Sequence, residues 1–225
     1  MVGKADFCIM DILIAAATKF EIQPTLQLLE KEGFIIHGHK IDILITGVGM
    51  VSTTYNLTTK LIGKKYGFII QAGIAGTFSN DLLLGETVLV KQDAFGDIGM
   101  EEKGNFTTVF DAGFASKDEF PFTDGWLVNS NKLLTTSLLK KVSAITVNKV
   151  SDSLLQRQQA IQYFEPQAES MEGAAFHYVC LLQKLNFIQL RSISNAVGDR
   201  DKSRWRIKDA IDNLNTELEK LLLQL

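Results

Sequence analysis

The sequence predicts an α/β fold: one domain, a three-layer sandwich with a central mixed, mostly parallel sheet and helices on both faces. Two observations carry this expectation. Short apolar runs of strand length alternate along the chain with amphipathic stretches of helix length. Nothing marks a linker, since the 225 residues include only 3 Pro and no Ser/Gly-rich or charge-block segment. With 46% hydrophobic and 22% charged residues there is ample apolar surface for one core. The net charge of -3 argues against a nucleic-acid partner.

Cys8 and Cys180 are too few for a disulfide framework or a zinc site, which is consistent with a reducing compartment. The N-terminus lacks an apolar signal core, and no segment reaches the ~20 apolar residues that span a bilayer. A cytoplasmic protein without membrane contact is expected. Residues 1–9 read as an extension before the core, because the strand and helix pattern begins at Met10; the domain then covers residues 10–225.

Residues 11–16 form an apolar run that suits a buried strand. Thr18 and Glu21 follow at capping-box spacing. Pro24 is tolerated only in a first helical turn, so the helix starts near Gln23 or its first turn is irregular. Glu21 thus falls at a strand-to-helix junction. A second strand is expected over residues 40–47, and Gly47-Val48-Gly49 leads into a helix over 50–64. That Gly-x-Gly is no dinucleotide fingerprint, because Ser52 stands where the last glycine belongs.

Residues 66–71 make the next strand, ending in a glycine-rich loop over 72–76 where a ligand approaches the backbone closely. A strand over 86–93 precedes a polar loop, 94–105, with Asp97, Glu101 and Glu102. The aromatic-rich segment 106–126 is irregular and either covers the site or meets a second subunit. A helix over 131–141, a strand over 143–150 and a helix over 154–164 come next. His37 and His39 flank Gly38 in a hairpin or strand edge without Cys or carboxylate neighbours, and His177 lies in an apolar helix, so no metal site is expected.

Glu172 opens a helix over 172–184, in which Ala175, Phe176, Val179 and Leu182 recur on one face. A carboxylate at a helix N-terminus stays ionised and accepts hydroxyl hydrogen bonds. The strand 187–193 ends on Ser194, Asn195 and a glycine-containing loop. Ligands of open α/β sheets sit beyond the carboxyl ends of the strands, so Glu172 and Asn195 face one ligand in this arrangement. Taken singly, the one is an ordinary helix-start carboxylate and the other an ordinary turn residue. A final amphipathic helix over 206–223 closes the chain.

The runs SMEGAAFHYVC and RSISNAVGDRD together resemble the C-terminal signature of the purine nucleosidase and nucleoside phosphorylase superfamily, and within it the futalosine hydrolases. The resemblance covers residues 10–210. It implies that Met171 and Glu172 hold a ribose, and that Ser194 and Asn195 meet a purine. Glu21, followed by Ile22, matches the water-activating glutamate, and Gly73 and Ile74 lie in the family's glycine-rich segment. Residues 151–155 match the segment that sets backbone and an apolar side chain against the purine, with Leu154 and Leu155 in the apolar positions. Leu154 stands where adenosine-type nucleosidases carry an aromatic residue.

The implied reaction is hydrolysis of the N-ribosidic bond of futalosine, releasing hypoxanthine and dehypoxanthine futalosine in menaquinone biosynthesis. No cofactor is required, and the partners are a small nucleoside and further copies of the chain in a homodimer or larger homo-oligomer. Glu21 serves as general base, Glu172 binds ribose hydroxyls, and Asn195 holds the base as it leaves. Adenine-releasing relatives carry Asp where this chain has Asn195. An amide cannot supply a proton, but it matches the O6 and protonated N7 of a 6-oxopurine. The proton then comes from water or another acid, with Asp199 and Asp201 as candidates.

Three alternatives stand beside this. One is a methylthioadenosine/S-adenosylhomocysteine or aminofutalosine nucleosidase. Another is a purine nucleoside phosphorylase, for which Arg157, Arg191 and Arg200 are phosphate candidates although Ile74 replaces a helpful hydroxyl. The third, from a different class, is a non-enzymatic ligand-binding relative. Arg200 and Arg204 are candidates for the carboxylate of the benzoate at the far end of futalosine.

Overall fold

A computed structural model describes residues 9–225; apart from Ile9, the expected N-terminal extension lies outside the described residues. The chain runs β1 (Asp11–Ala16), a 3-10 turn (Phe20–Ile22), α1 (Gln23–Lys31), β2 (Ile35–Ile36), β3 (His39–Ile45), α2 (Met50–Gly63), β4 (Phe68–Thr77) and β5 (Thr87–Phe95). It continues with β6 (Gly99–Glu102), β7 (Asn105–Thr108), β8 (Leu127–Val128), α3 (Leu133–Thr136), β9 (Lys140–Thr146), α4 (Leu154–Phe164) and β10 (Ala168–Ser170). The last elements are α5 (Gly173–Leu182), β11 (Phe187–Ala196), a second 3-10 turn (Lys202–Arg204) and α6 (Ile207–Leu222).

Side chains alternate across a strand, and β1 shows what this does to the core. Ile12 and Ile14 pack with Ile22, Leu29, Leu214 and Leu218, from the first 3-10 turn, α1 and α6. Leu13 and Ala15 pack on the opposite face with Leu57, Phe176, Val179 and Cys180, from α2 and α5. A strand buried on both faces needs no polar alternation, which is why DILIAA reads as continuous apolar sequence. Each such Leu or Ile contributes about 1.5–3 kcal/mol by leaving water.

The sheet order is β10-β9-β5-β11-β4-β1-β3-β2, with β8 on β5. Strands β3, β1, β4 and β11 run parallel, whereas β5 is antiparallel to β11. Strand β10 pairs with both β9 and β4, so β4, β11, β5, β9 and β10 close a ring. Small and β-branched residues fill it, among them Ala75, Val88, Val142, Ala144, Ala168 and Ile193. The mixed sheet with two helical layers agrees with the fold expected from sequence.

Several local expectations need correction. Residues 72–76 are no loop but the middle of β4, held by β11 along its length and by β10 at its end. Ser194 and Asn195 likewise remain within β11, with Ser194 in a bulge between Ile193 and Asn195 that re-aims the strand end. The polar segment 94–105 holds the first strand and the turn of a hairpin, β6 and β7, turned at Lys103 and Gly104, both with positive φ. The helix over 131–141 shrinks to one turn, where the Thr135 hydroxyl bonds back to the Lys132 carbonyl at 2.7 Å and Lys140 already pairs with Val88. Pairing also ends that strand at Thr146, short of residue 150. His37 and Gly38, both at positive φ, form the two-residue turn between β2 and β3.

Candidate active site

A cleft of about 390 Å³ opens at the carboxyl ends of β1, β4 and β11. Glu21, Ile74, Met171, Glu172, Ser194 and Asn195 all line it, so six residues singled out in the sequence come together. They are spread over 175 positions of sequence, from residue 21 to residue 195.

Glu21 is buried in the 3-10 turn that precedes α1, with Pro24 in the first helical turn. Its Oε2 accepts from the Thr18 N–H at 2.9 Å and the Thr18 hydroxyl at 3.0 Å, while its own N–H points at Thr18 Oγ1 at 3.4 Å. This is the reciprocal pattern of a capping box. The other oxygen, Oε1, accepts from the Ile74 N–H at 3.2 Å. Thr18 and β4 therefore hold different oxygens of the same carboxylate. Burial, aided by the Glu172 charge, raises the carboxyl above its ordinary range against the opposing pull of Arg191, the Ile74 N–H and Thr18.

Glu172 is the residue before α5 and not part of its first turn. Its side chain does not cap that helix. Instead Oε1 accepts from the Gly49 N–H at 3.1 Å, and Oε2 meets Arg191 Nη1 at 3.4 Å. Gly49 has a φ of 92° and precedes α2, so the Gly-x-Gly turn brings a second helix N-terminus to the same carboxylate.

Arg191 is the charged residue in the apolar run of β11, and its side chain is fully buried. Its Nη1 also donates to the Ile74 carbonyl at 3.2 Å, whereas Nε and Nη2 have no partner among the described residues. Gly73 stands behind the cleft wall and makes this possible. A Cβ there would lie 2.5 Å from Arg191 Nη1 and 3.0 Å from Glu21 Oε1. Arg191 thus sits between two carboxylates and neutralises part of their charge. From sequence it is only one of three phosphate candidates; its signal is a cation inside an otherwise apolar strand.

Beneath this trio lies Asp93, fully buried, which accepts from the Thr146 hydroxyl at 2.9 Å and Gln189 Nε2 at 3.2 Å. Burial pushes its carboxyl up to about 6, against the pull of Thr146, Gln189 and Arg191. A Cβ on Gly173 would come within 2.2 Å of both Asp93 and Gln189, so α5 begins on glycine.

The Ser194 hydroxyl lies 2.8 Å from Asn195 Oδ1, and Asn195 Nδ2 donates to the Ala196 carbonyl at 2.9 Å, which orients the amide at the cleft rim. Leu154 and Leu155 are not brought to the cleft. Ser153 caps α4, leaving them on its first turn with 75% and 51% exposure, and Val150 and Ser151 line the cleft in their place. At the open end Arg200 lies over the Trp205 ring, 5.1 Å from its centroid, while Arg204 is paired with Asp199 and Asp201. Arg157 is outside the cleft lining and donates to the Phe78 carbonyl at 3.3 Å. His177 Nδ1 is 3.0 Å from the Leu127 carbonyl, and burial holds the ring down at about 4, so it is a neutral core histidine. Among the described residues no cluster suited to a metal ion occurs, and no helix is long and apolar enough to cross a membrane.

A family model described as the phosphorylase superfamily matches residues 32–225. The futalosine hydrolase of Thermus thermophilus is 29% identical over 185 residues, 80% of each chain. The 5'-methylthioadenosine/S-adenosylhomocysteine nucleosidase of Buchnera aphidicola is 26% identical over 193 residues, 82% of this chain and 79% of that one. The crystal structure of the nucleosidase of that name from Helicobacter pylori superimposes with a TM-score of 0.79 at 18% identity, covering 96% of this chain and 99% of that one, and shares the fold.

Proposed function

The chain belongs to the phosphorylase superfamily, and from that premise we propose that it is an N-ribosyl hydrolase that cleaves futalosine to hypoxanthine and dehypoxanthine futalosine, a step of menaquinone biosynthesis. The observation that carries this reading is the meeting of Glu21, Glu172 and Asn195 on one cleft, with Arg191 between the two carboxylates.

Breaking an N-ribosidic bond leaves positive charge on the sugar and negative charge on the base. Glu21, with one oxygen fixed by Thr18 and its carboxyl raised above the ordinary range by burial, is poised to take a proton from water. Glu172 binds ribose hydroxyls and, with Glu21, places negative charge beside the cationic sugar. One arginine against two carboxylates leaves the site net negative, which favours that cation and repels phosphate. Ile74 offers no hydroxyl to a phosphate either, so water is the nucleophile.

Asn195 meets the purine edge. Its N–H matches O6 of a 6-oxopurine and its carbonyl a protonated N7, whereas adenine sets an amino group against the amide donor. A second reading, cleavage of methylthioadenosine or S-adenosylhomocysteine, draws support from the Buchnera relative. Purified protein incubated with futalosine in phosphate-free buffer is expected to release hypoxanthine, with no rate increase on adding phosphate. Preferred release of adenine from methylthioadenosine would favour the second reading. Release of neither base would point to a ligand-binding relative.

A further inference from the structure

Glu169 lies on β10, and none of the roles above uses it. Its partner across the antiparallel pairing is Gly76. Gly76 is also the partner of Asn195 on its other side. Register partners present side chains on one face of a sheet. With strands about 4.8 Å apart, the Glu169 and Asn195 backbones stand roughly 10 Å from each other with only a glycine between. A Cβ on Gly76 would meet Val197 at 2.9 Å and Asn195 Nδ2 at 3.3 Å, so glycine is what lets the Val197 side chain and the Asn195 amide lie over this part of β4.

Both side chains line the same cleft. Glu169 also borders an adjoining hollow of about 310 Å³, which meets the cleft at Ser151 and Val197. Among the described residues its carboxyl has no hydrogen-bond partner. Burial, and then the Asp97 charge, push it up to about 7, so a large share is protonated at neutral pH. The other charged groups bordering the hollow are Glu101 on β6, Lys149 before α4 and Arg157 on α4.

The nearby alternatives are engaged elsewhere. Asp199 accepts from Arg204 at 3.0 Å and from the Asp201 N–H at 3.0 Å. Asp201 is held below the usual carboxylate range by Ser203. Asn195 has no proton to give.

We propose that Glu169 is the acid that protonates the departing base, an assignment that rests on the N-ribosyl hydrolase reading. As the N9–C1′ bond breaks, its electron pair passes into the purine ring and the Glu169 O–H proton goes to a ring nitrogen. Water bonds to C1′ and yields its proton to Glu21. Glu169 is left ionised and Glu21 protonated, and exchange of one proton with solvent at each resets the site.

The test compares futalosine with 4-nitrophenyl β-D-riboside, whose leaving group departs without a proton. Glu169→Gln is expected to lower kcat/KM for hypoxanthine release by ~10²–10⁴-fold while retaining nitrophenolate release, which also reports an intact fold. The wild-type rate should fall as pH rises through about 7, where the acid loses its proton, and that limb should vanish in the variant. Undiminished hypoxanthine release by the variant, or an equal loss with both substrates, would overturn the assignment. Wild-type protein that frees neither leaving group would overturn the hydrolase reading itself, and this assignment with it.

Discussion

Glu172 accepts the Gly49 N–H at 3.1 Å, so the carboxylate that precedes α5 is held by the backbone that opens α2. Two helix N-termini and Arg191 converge on it. Glu172→Gln keeps an acceptor for Gly49 but removes the charge that helps to raise Glu21. Both KM and kcat should worsen. Glu21 must be ionised to act as a base, so activity falls as pH drops through its raised pKa. That acid limb should therefore move to lower pH in the variant, and pH–rate profiles that superimpose would argue against coupling between the two carboxylates.

Glu21→Gln should leave nucleoside binding largely intact and lower turnover by at least ~10²-fold, the lower end of what a positioned base contributes. Calorimetric binding alongside steady-state rates separates the two effects. Near wild-type turnover would remove Glu21 as the base.

Gly73→Ala places a methyl group 2.5 Å from Arg191 Nη1, in a strand that cannot yield. Arg191 must shift, and a misplacement of about 1 Å in such a site lowers the rate on the order of 10²-fold. Kinetics together with thermal melting test this; an unchanged rate would show that Arg191 does not position the carboxylates.

Asp93 has a sign opposite to that of most carboxylates. Its folded value of about 6 lies above the ordinary 3.8, so the folded chain binds the extra proton. The stability it contributes is present at low pH and is lost as pH rises between these values, on the order of 3 kcal/mol for a fully buried group. Asp93→Asn should flatten the pH dependence of melting across that window, because Gln189 Oε1, without a partner among the described residues, can turn to accept from the new amide. A pH dependence of melting equal to the wild type's would show that Asp93 does not hold that proton.

Local pattern was enough for β1, α4 and the capping-box spacing of Thr18 and Glu21, because each depends on residues a few positions apart. The ends of β4 and β11 were not legible in the same way. Residues 72–76 look like a loop because glycine weakens strands, yet here glycine is what admits Arg191 and Glu21 to the backbone of β4. Gly49 and Asp93 acquire their partners only through contacts across more than 50 positions, which no local spacing announces. Leu154 and Leu155, named by family likeness, point away because Ser153 starts α4 just before them.

The most direct test of the account is a competition between futalosine and methylthioadenosine at equal concentration, run with the wild type and Asn195→Asp. The wild type should release hypoxanthine in clear excess over adenine. An unmatched buried donor costs about 1–3 kcal/mol, or roughly 5–150-fold in rate. Asn195→Asp should move the ratio towards adenine, since a carboxylate repels O6 and favours the amino group. Equal release by the wild type, or a ratio that Asn195→Asp leaves unchanged, would contradict the claim that Asn195 reads the base.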